Sequence, residues 1–289
     1  MTHLTIYDQM RRRPDYVNFM LTAQAKFTAC EEPVLTSVTT LSGAFEAVLF
    51  DLGDTIIHFE TQRITAILNR SCRTGYDRLL KSGHQLPKYD RYFSALRRRL
   101  LTDWLCSQLT RREVQLVPSL DRVHRRLGAN LTDAELADVM RDASTPVIQG
   151  MMTVDEEAHH VLQELRNLGL FLGVVSNTCF PAESIDDYLS AHGLLEFFPL
   201  RIYSSDVRYM KPSPHIFHKA LDQLNVTAAS KVLFVGDRLD TDVKGASRVG
   251  MKTVHFRRNG NGRRRNWLVR PDYRIDSLSE ILRIVNPAD

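Results

Sequence analysis

From Phe45 to Phe50 the chain is almost uninterruptedly apolar, and polar residues gather directly behind it in Asp51-Leu52-Gly53-Asp54-Thr55. This pattern predicts a parallel strand buried on both faces that ends in a polar loop. Between 60 and 150 the spacing changes. Ile64, Ile67 and Leu68, then Phe93, Leu96 and Leu100, recur at helical intervals, and Thr132-x-x-Glu135 has the form of a capping box. The stretch reads as an all-helical insert of about four helices. After Gly150 helix and strand alternate: Val161, Leu162, Leu165 and Leu168 lie on one helical face that stops at Gly169. Strands are predicted at 171–175, 200–203, 231–235 and 253–256, with helices at 183–191, 214–224 and from Asp240. The result is an α/β fold, a doubly wound, Rossmann-like parallel sheet that carries ligands at the carboxyl ends of its strands. The expected organisation is an N-terminal extension over 1–42, a core formed by 43–58 and 151–289, and a helical cap over 59–150 that overhangs the strand ends.

Composition narrows the class without changing this picture. With 289 residues, 43% of them hydrophobic, the chain is long enough for a core with a smaller insert. The longest apolar runs are strand-sized, such as Val232-Leu233-Phe234-Val235, so no membrane-spanning segment is predicted. The Arg11-Arg12-Arg13 cluster and the short apolar stretch after it make a poor secretory signal, and 1–42 is expected to be loosely ordered. Cys30, Cys72, Cys106 and Cys179 show no paired spacing, which argues against a zinc site or a disulfide framework and for a reducing, cytoplasmic setting. Cys179 has no base identifiable beside it and reads as structural. The net charge of +4 is uneven: residues 57–150 hold 16 Lys and Arg against 10 Asp and Glu. These basic residues could attract an anionic substrate, but they more simply form solvated helix faces, and no nucleic-acid-reading module accompanies them. The segment Asn259-Gly260-Asn261-Gly262-Arg263-Arg264-Arg265 reads as a mobile basic loop.

The polar residues at the strand ends share one chemistry. Asp51 follows the first strand, Ser176 the second, Lys211 lies beyond the third, and Asp237 ends the fourth. Two carboxylates meeting at one sheet edge repel unless a cation lies between them, so Asp51 and Asp237 together suggest Mg²⁺ held by hard oxygen ligands. The hydroxyl of Ser176, neighbouring backbone N–H groups and the ammonium of Lys211 would then hold phosphoryl oxygens.

These residues form a pattern that resembles the haloacid dehalogenase (HAD) superfamily over 44 to about 285. Asp51-Leu52-Gly53-Asp54-Thr55 matches its first motif except at the third position, and Gly173-Val174-Val175-Ser176-Asn177-Thr178 matches the second. Lys211-Pro212-Ser213-Pro214-His215-Ile216-Phe217 matches the third, and Gly236-Asp237 followed by Asp242 matches the fourth. Each motif alone is weak, whereas four in order at predicted strand ends are specific. The resemblance implies that Asp51 is the nucleophile and forms an aspartyl-phosphate. It implies Mg²⁺ held by Asp51, the backbone carbonyl of Gly53 and Asp237, with Asp242 supporting the metal. Ser176, Asn177, Lys211 and Thr55 would bind the substrate's phosphoryl group, with Lys211 also counted among the catalytic residues. The cap would close over a small phosphorylated metabolite.

One departure matters. Phosphatases of this superfamily usually carry an Asp two residues after the nucleophile as general acid and base, and here that position is Gly53. Asp54 is the carboxylate next in sequence and is kept as a catalytic candidate, although an Asp at such a turn commonly bonds its own backbone. His84 or His124 from the cap is the remaining conceivable base. Two alternatives follow: a 2-haloacid dehalogenase, which needs no metal and so no Gly236-Asp237 pair, and a catalytically weakened HAD-like binding protein, motivated by Gly53.

Overall fold

The computed structural model describes residues 44–60, 64–257 and 269–286. The N-terminal extension with its arginine cluster and Cys30, and the basic segment 259–265, lie outside them. The apolar run behind Phe45 forms β1 (Ala47–Phe50). After the polar loop comes β2 (Ile57–Phe59), and then four helices: α1 (Ile64–Lys81), α2 (Tyr89–Thr110), α3 (Leu116–Arg126) and α4 (Asp133–Met151). The chain returns through β3 (Met152–Val154). Alternation follows, with α5 (Ala158–Asn167), β4 (Phe171–Ser176), α6 (Ala182–Ala191), β5 (Leu200–Tyr203), α7 (Pro214–Leu224) and β6 (Val232–Gly236). A wide helical turn over Leu239–Val243 leads into α8 (Lys244–Arg248), and β7 (Lys252–Phe256), β8 (Tyr273–Ile275) and α9 (Ile281–Val285) complete the series.

The six long-range strands pair in the order β5-β4-β1-β6-β7-β8, and every pairing is parallel. Their side chains alternate between two buried layers, which is why they read as continuous apolar runs. Val48, Phe50, Val174, Leu233 and Val235 pack on one face against α5, α6 and α9 through Leu162, Leu165, Ile185 and Ile281. Ala47, Leu49, Val175, Val232 and Phe234 pack on the other against Ile216, Phe217 and Ala220 of α7. Gly169, at φ 76°, ends α5 where only a residue without Cβ turns freely.

The insert has an apolar centre of its own, with Tyr76, Leu79, Tyr92, Leu96, Leu120, Val123, Leu136 and Met140 buried together. At the start of α4 the capping box forms as read: the Thr132 hydroxyl accepts from Glu135 N–H at 3.3 Å, and the Glu135 carboxylate accepts from Thr132 N–H at 2.9 Å. Two features have no counterpart in the sequence reading. The insert is entered and left through an antiparallel pair, β2 with β3, with Phe59 opposite Met152. His58 and Asp155 brace that pair at 2.6 Å, both largely buried. The sheet also gains β8, whose Tyr273 and Arg274 are exposed and so carry no apolar pattern.

The sheet order decides where a ligand binds. From β1 the chain goes to β4 and β5 on one side, then returns to β6, β7 and β8 on the other. The crevice at such a reversal lies beyond the carboxyl end of the central strand, which here is β1.

Candidate active site

Asp51 is the first residue past β1, and its backbone N–H donates to Val235 O at 2.9 Å, so its position is tied to β6 as well. The side chain is nearly buried. Its Oδ1 accepts from Leu52 N–H at 2.8 Å and lies 2.7 Å from Lys211 Nζ. Among the described residues no group bonds Oδ2, so one carboxylate oxygen is anchored and the other is left for chemistry.

Lys211 reaches the site from the loop before α7 and is buried to 2% exposure. Its ammonium is also 2.8 Å from Asp242 Oδ1. Asn177 fixes the backbone below it: Lys211 N–H donates to Asn177 Oδ1 at 2.8 Å, and Asn177 Nδ2 donates to Lys211 O at 3.2 Å. The Asn177 side chain thereby bonds the Lys211 backbone through both its oxygen and its nitrogen. Asp242 is fully buried, with its other oxygen accepting Arg238 N–H at 3.0 Å. It can come this close to β6 because Gly236 has no side chain; a Cβ there would lie 2.6 Å from the Asp242 carboxylate.

Asp51, Asp237 and Asp242 offer carboxylate oxygens all within 4.8 Å of one another. One buried ammonium faces three acids, and the imbalance shows in their proton affinity. Burial, opposed by Lys211 and reinforced by Asp242, raises Asp51 to about 6. Burial, then the charges of Asp242, Asp51 and Asp54, raise Asp237 to about 8. Burial alone would push the Lys211 ammonium down, but Asp242 and Asp51 outweigh it and hold the group above its ordinary value. A cluster of hard oxygen donors with surplus negative charge fits a divalent cation such as Mg²⁺.

Around this cluster lies a cavity of about 320 Å³ that includes Asp51, Gly53, Asp54, Ser176, Asn177, Lys211, Asp237 and Asp242. The structure thus brings the sequence-predicted residues to one place, with one exception. Thr55 is fully buried and does not line the cavity; the tight turn that follows Leu52 directs it into the core, where its hydroxyl has no partner among the described residues. It is therefore not placed to bind substrate, as the resemblance had implied. Asp54 borders the cavity at φ 53°, and its Oδ1 accepts Phe59 N–H at 3.3 Å, bracing the turn. Neither cap histidine reaches the site. His124 is buried between Tyr92 Oη at 2.9 Å and Leu120 O at 2.8 Å, and His84 lies 2.8 Å from Glu135. Burial pushes the Cys179 thiol up to about 12, so it is no nucleophile.

Sequence reasoning missed the apolar wall. Phe59 and Met152 face the cavity from the β2–β3 pair, beside Ile57, Phe180 and Ile185. The cavity is also coupled to the insert. Between α2 and α3, Glu113 bonds the Ser204 hydroxyl at 2.5 Å, Glu113 N–H donates to Arg208 O, and Met210 N–H donates to Arg111 O. These contacts tether the insert to the segment that leads into Lys211.

The family description "haloacid dehalogenase-like hydrolase" matches residues 45–250, most of the chain. The chain belongs to the haloacid dehalogenase-like hydrolases. Among family members, the glyceraldehyde 3-phosphate phosphatase of Methanopyrus kandleri is 37% identical over 126 residues, 43% of this chain and 53% of the relative. The pyrophosphatase PpaX of Bacillus mycoides is 30% identical over 131 residues, 45% of this chain and 59% of the relative. The chain thus matches little more than half the length of these relatives. A HAD phosphatase from Thermococcus onnurineus superposes with a TM-score of 0.52 at 27% identity, over 84% of this chain and 98% of its own. A 2-haloacid dehalogenase from Pseudomonas syringae superposes with a TM-score of 0.59 over 83% of this chain and 97% of its own, but at 21% identity this likeness speaks to fold alone. Among the described residues no helix is long and apolar enough to cross a membrane.

Proposed function

We propose that this HAD hydrolase is a Mg²⁺-dependent phosphatase that transfers the phosphoryl group of a small phosphorylated metabolite to Asp51 and then to water. The observation that carries the reading is the meeting of Asp51, Lys211, Asp237 and Asp242 in one cavity at the β1 edge. The free Oδ2 of Asp51 attacks phosphorus, and the bond to the leaving oxygen breaks as the aspartyl-phosphate forms. Lys211 holds Asp51 Oδ1 and, with the Ser176 hydroxyl, faces the charge on the transferring group. Water then attacks phosphorus, releasing phosphate and restoring the carboxylate. Asp51 and Asp237 would hold the cation with help from the Gly53 backbone, while Asp242, engaged with Lys211, supports the set from behind. The bound ion would supply charge neutralisation at the phosphoryl oxygens. The four-helix insert, tethered beside Lys211, would act as the cap.

The relatives named for phosphatase and pyrophosphatase activity support this reading over carbon–halogen hydrolysis. So does the surplus of buried carboxylates, which would only repel one another in a site without a cation. The test is phosphate release from a panel of phosphorylated metabolites and an aryl phosphate, with Mg²⁺ or EDTA, by wild type and Asp51→Asn. Mg²⁺-dependent release lost in the variant is expected. Absence of release from every substrate would refute the reading and bring the dehalogenase and binding-protein alternatives forward.

A further inference from the structure

We infer that the site is specific for phosphates whose leaving group departs unprotonated and carries an apolar body, namely aryl phosphates and acyl phosphates with an apolar substituent. The inference rests on the phosphatase reading and concerns the leaving-group side of the same cavity.

Gly53 is two residues past the nucleophile, and the space a side chain would need there is taken. A Cβ built on Gly53 lies 2.9 Å from Phe59 Cε2 and 3.6 Å from Cδ2. The backbone of Phe59 is held from two sides, its N–H by Asp54 and its strand by pairing with Met152 of β3, and its ring lies against Gly53. An aromatic ring therefore occupies the volume from which a side chain at 53 could deliver a proton. Of the other groups lining the cavity, Asp54 is turned to the Phe59 N–H, which its Oδ1 accepts at 3.3 Å. The thiol of Cys179 is too weak an acid, the Arg238 guanidinium is paired with Asp240, and no histidine lines the cavity. The remaining acids are the nucleophile Asp51 and, on the phosphatase reading, Asp237 and Asp242, which would be engaged with the cation and with Lys211. The apolar part of the cavity's lining is made by Leu52, Ile57, Phe59, Met152, Phe180 and Ile185.

Chemistry then selects the substrate. An alcohol leaves as an alkoxide only at great cost, its conjugate acid having a pKa near that of water, about 16. A phenol, at about 10, or a carboxylic acid, at about 4, leaves far more readily without a donor. The P–O bond breaks with its electron pair on the phenolate or carboxylate oxygen, which takes its proton from solvent after release. Asp51 Oδ2 gains the phosphoryl group, and water later cleaves the P–Oδ2 bond, returning the carboxylate and passing its surplus proton to solvent. With no side chain at 53 to activate that water, the second step is slow and common to all substrates, so with the best leaving groups a burst equal to the enzyme concentration precedes steady turnover.

The experiment is kcat/KM for substituted phenyl phosphates spanning leaving-group pKa values from about 5 to about 10, with benzoyl phosphate and acetyl phosphate alongside. A fall of at least about a thousandfold across the phenol series is expected, the order of the general-acid help that is missing. The burst should accompany it, and benzoyl phosphate should exceed acetyl phosphate by at least about tenfold through ring burial against the apolar wall. Gly53→Asp alone should leave the profile steep, because Phe59 blocks the carboxylate, while Gly53→Asp with Phe59→Ala should flatten it. The wild-type profile carries the test even if the double variant does not fold. A flat wild-type profile would overturn the inference while sparing the phosphatase reading, and one that turns steep in Asp54→Asn would assign the acid to Asp54. Acetyl phosphate equal to benzoyl phosphate would overturn the apolar part. Release from none of these substrates would overturn the phosphatase reading, and this inference with it.

Discussion

Cation affinity at the carboxylate cluster should rise steeply with pH. Asp237 is raised to about 8, so in the metal-free protein about one molecule in a hundred has it ionised at pH 6, about one in ten at pH 7 and half at pH 8. A cation must displace that proton, so the apparent dissociation constant for Mg²⁺ should exceed its limiting value about a hundredfold at pH 6, about tenfold at pH 7 and about twofold at pH 8. Asp51, at about 6, adds a further factor of about two at the acid end. Isothermal titration of Mg²⁺ in two buffers of different ionisation enthalpy measures both the affinity and the proton released, which should be about one per ion at pH 7. The same shift sets the stability of the metal-free protein. A carboxyl whose folded pKa lies above its unfolded value of 3.8 favours the fold below that value, and the advantage is lost as pH rises towards 8. The melting temperature should therefore fall between pH 5 and pH 8 without metal, and Mg²⁺ should abolish the fall. An affinity that changes less than about threefold between pH 6 and pH 8, or binding with no proton released, would refute the reasoning.

Three further outcomes follow from the packing. Asp242→Asn leaves the buried Lys211 ammonium with Asp51 as its one carboxylate, and should cost about 3 kcal/mol in chemical denaturation along with most of the activity. Gly236→Ala forces a Cβ to within 2.6 Å of the Asp242 side chain; a loss of about 1–3 kcal/mol and a drop in phosphate release are expected, and unchanged kinetics would show that Asp242 need not be held so closely. Thr132→Ala removes the cap of α4 far from the cavity, and should lower stability by about 1 kcal/mol while the steady-state constants stay within twofold of wild type.

The sequence by itself determined the sheet and the placing of its chemistry. Strands buried on both faces must be apolar throughout, so β1, β4, β5, β6 and β7 announce themselves, and the polar residue that ends each such run marks the binding edge. Asp51, Ser176 and Asp237 were legible for that reason, Lys211 from its Lys-Pro-x-Pro motif beyond β5, and the helices of the insert for their 3.6-residue spacing. What depended on partners distant in the chain was not legible. The β2–β3 pair joins residues about a hundred positions apart, and the exposed edge strand β8 has no periodic signal. The tertiary structure alone decided how each polar group is used: Asn177 bonds the Lys211 backbone, Thr55 is buried in the core, Asp242 backs Lys211, and the ring of Phe59 fills the space beside Gly53. A residue type limits which bonds a side chain can form, but which of them it forms depends on neighbours that only the folded chain brings within reach.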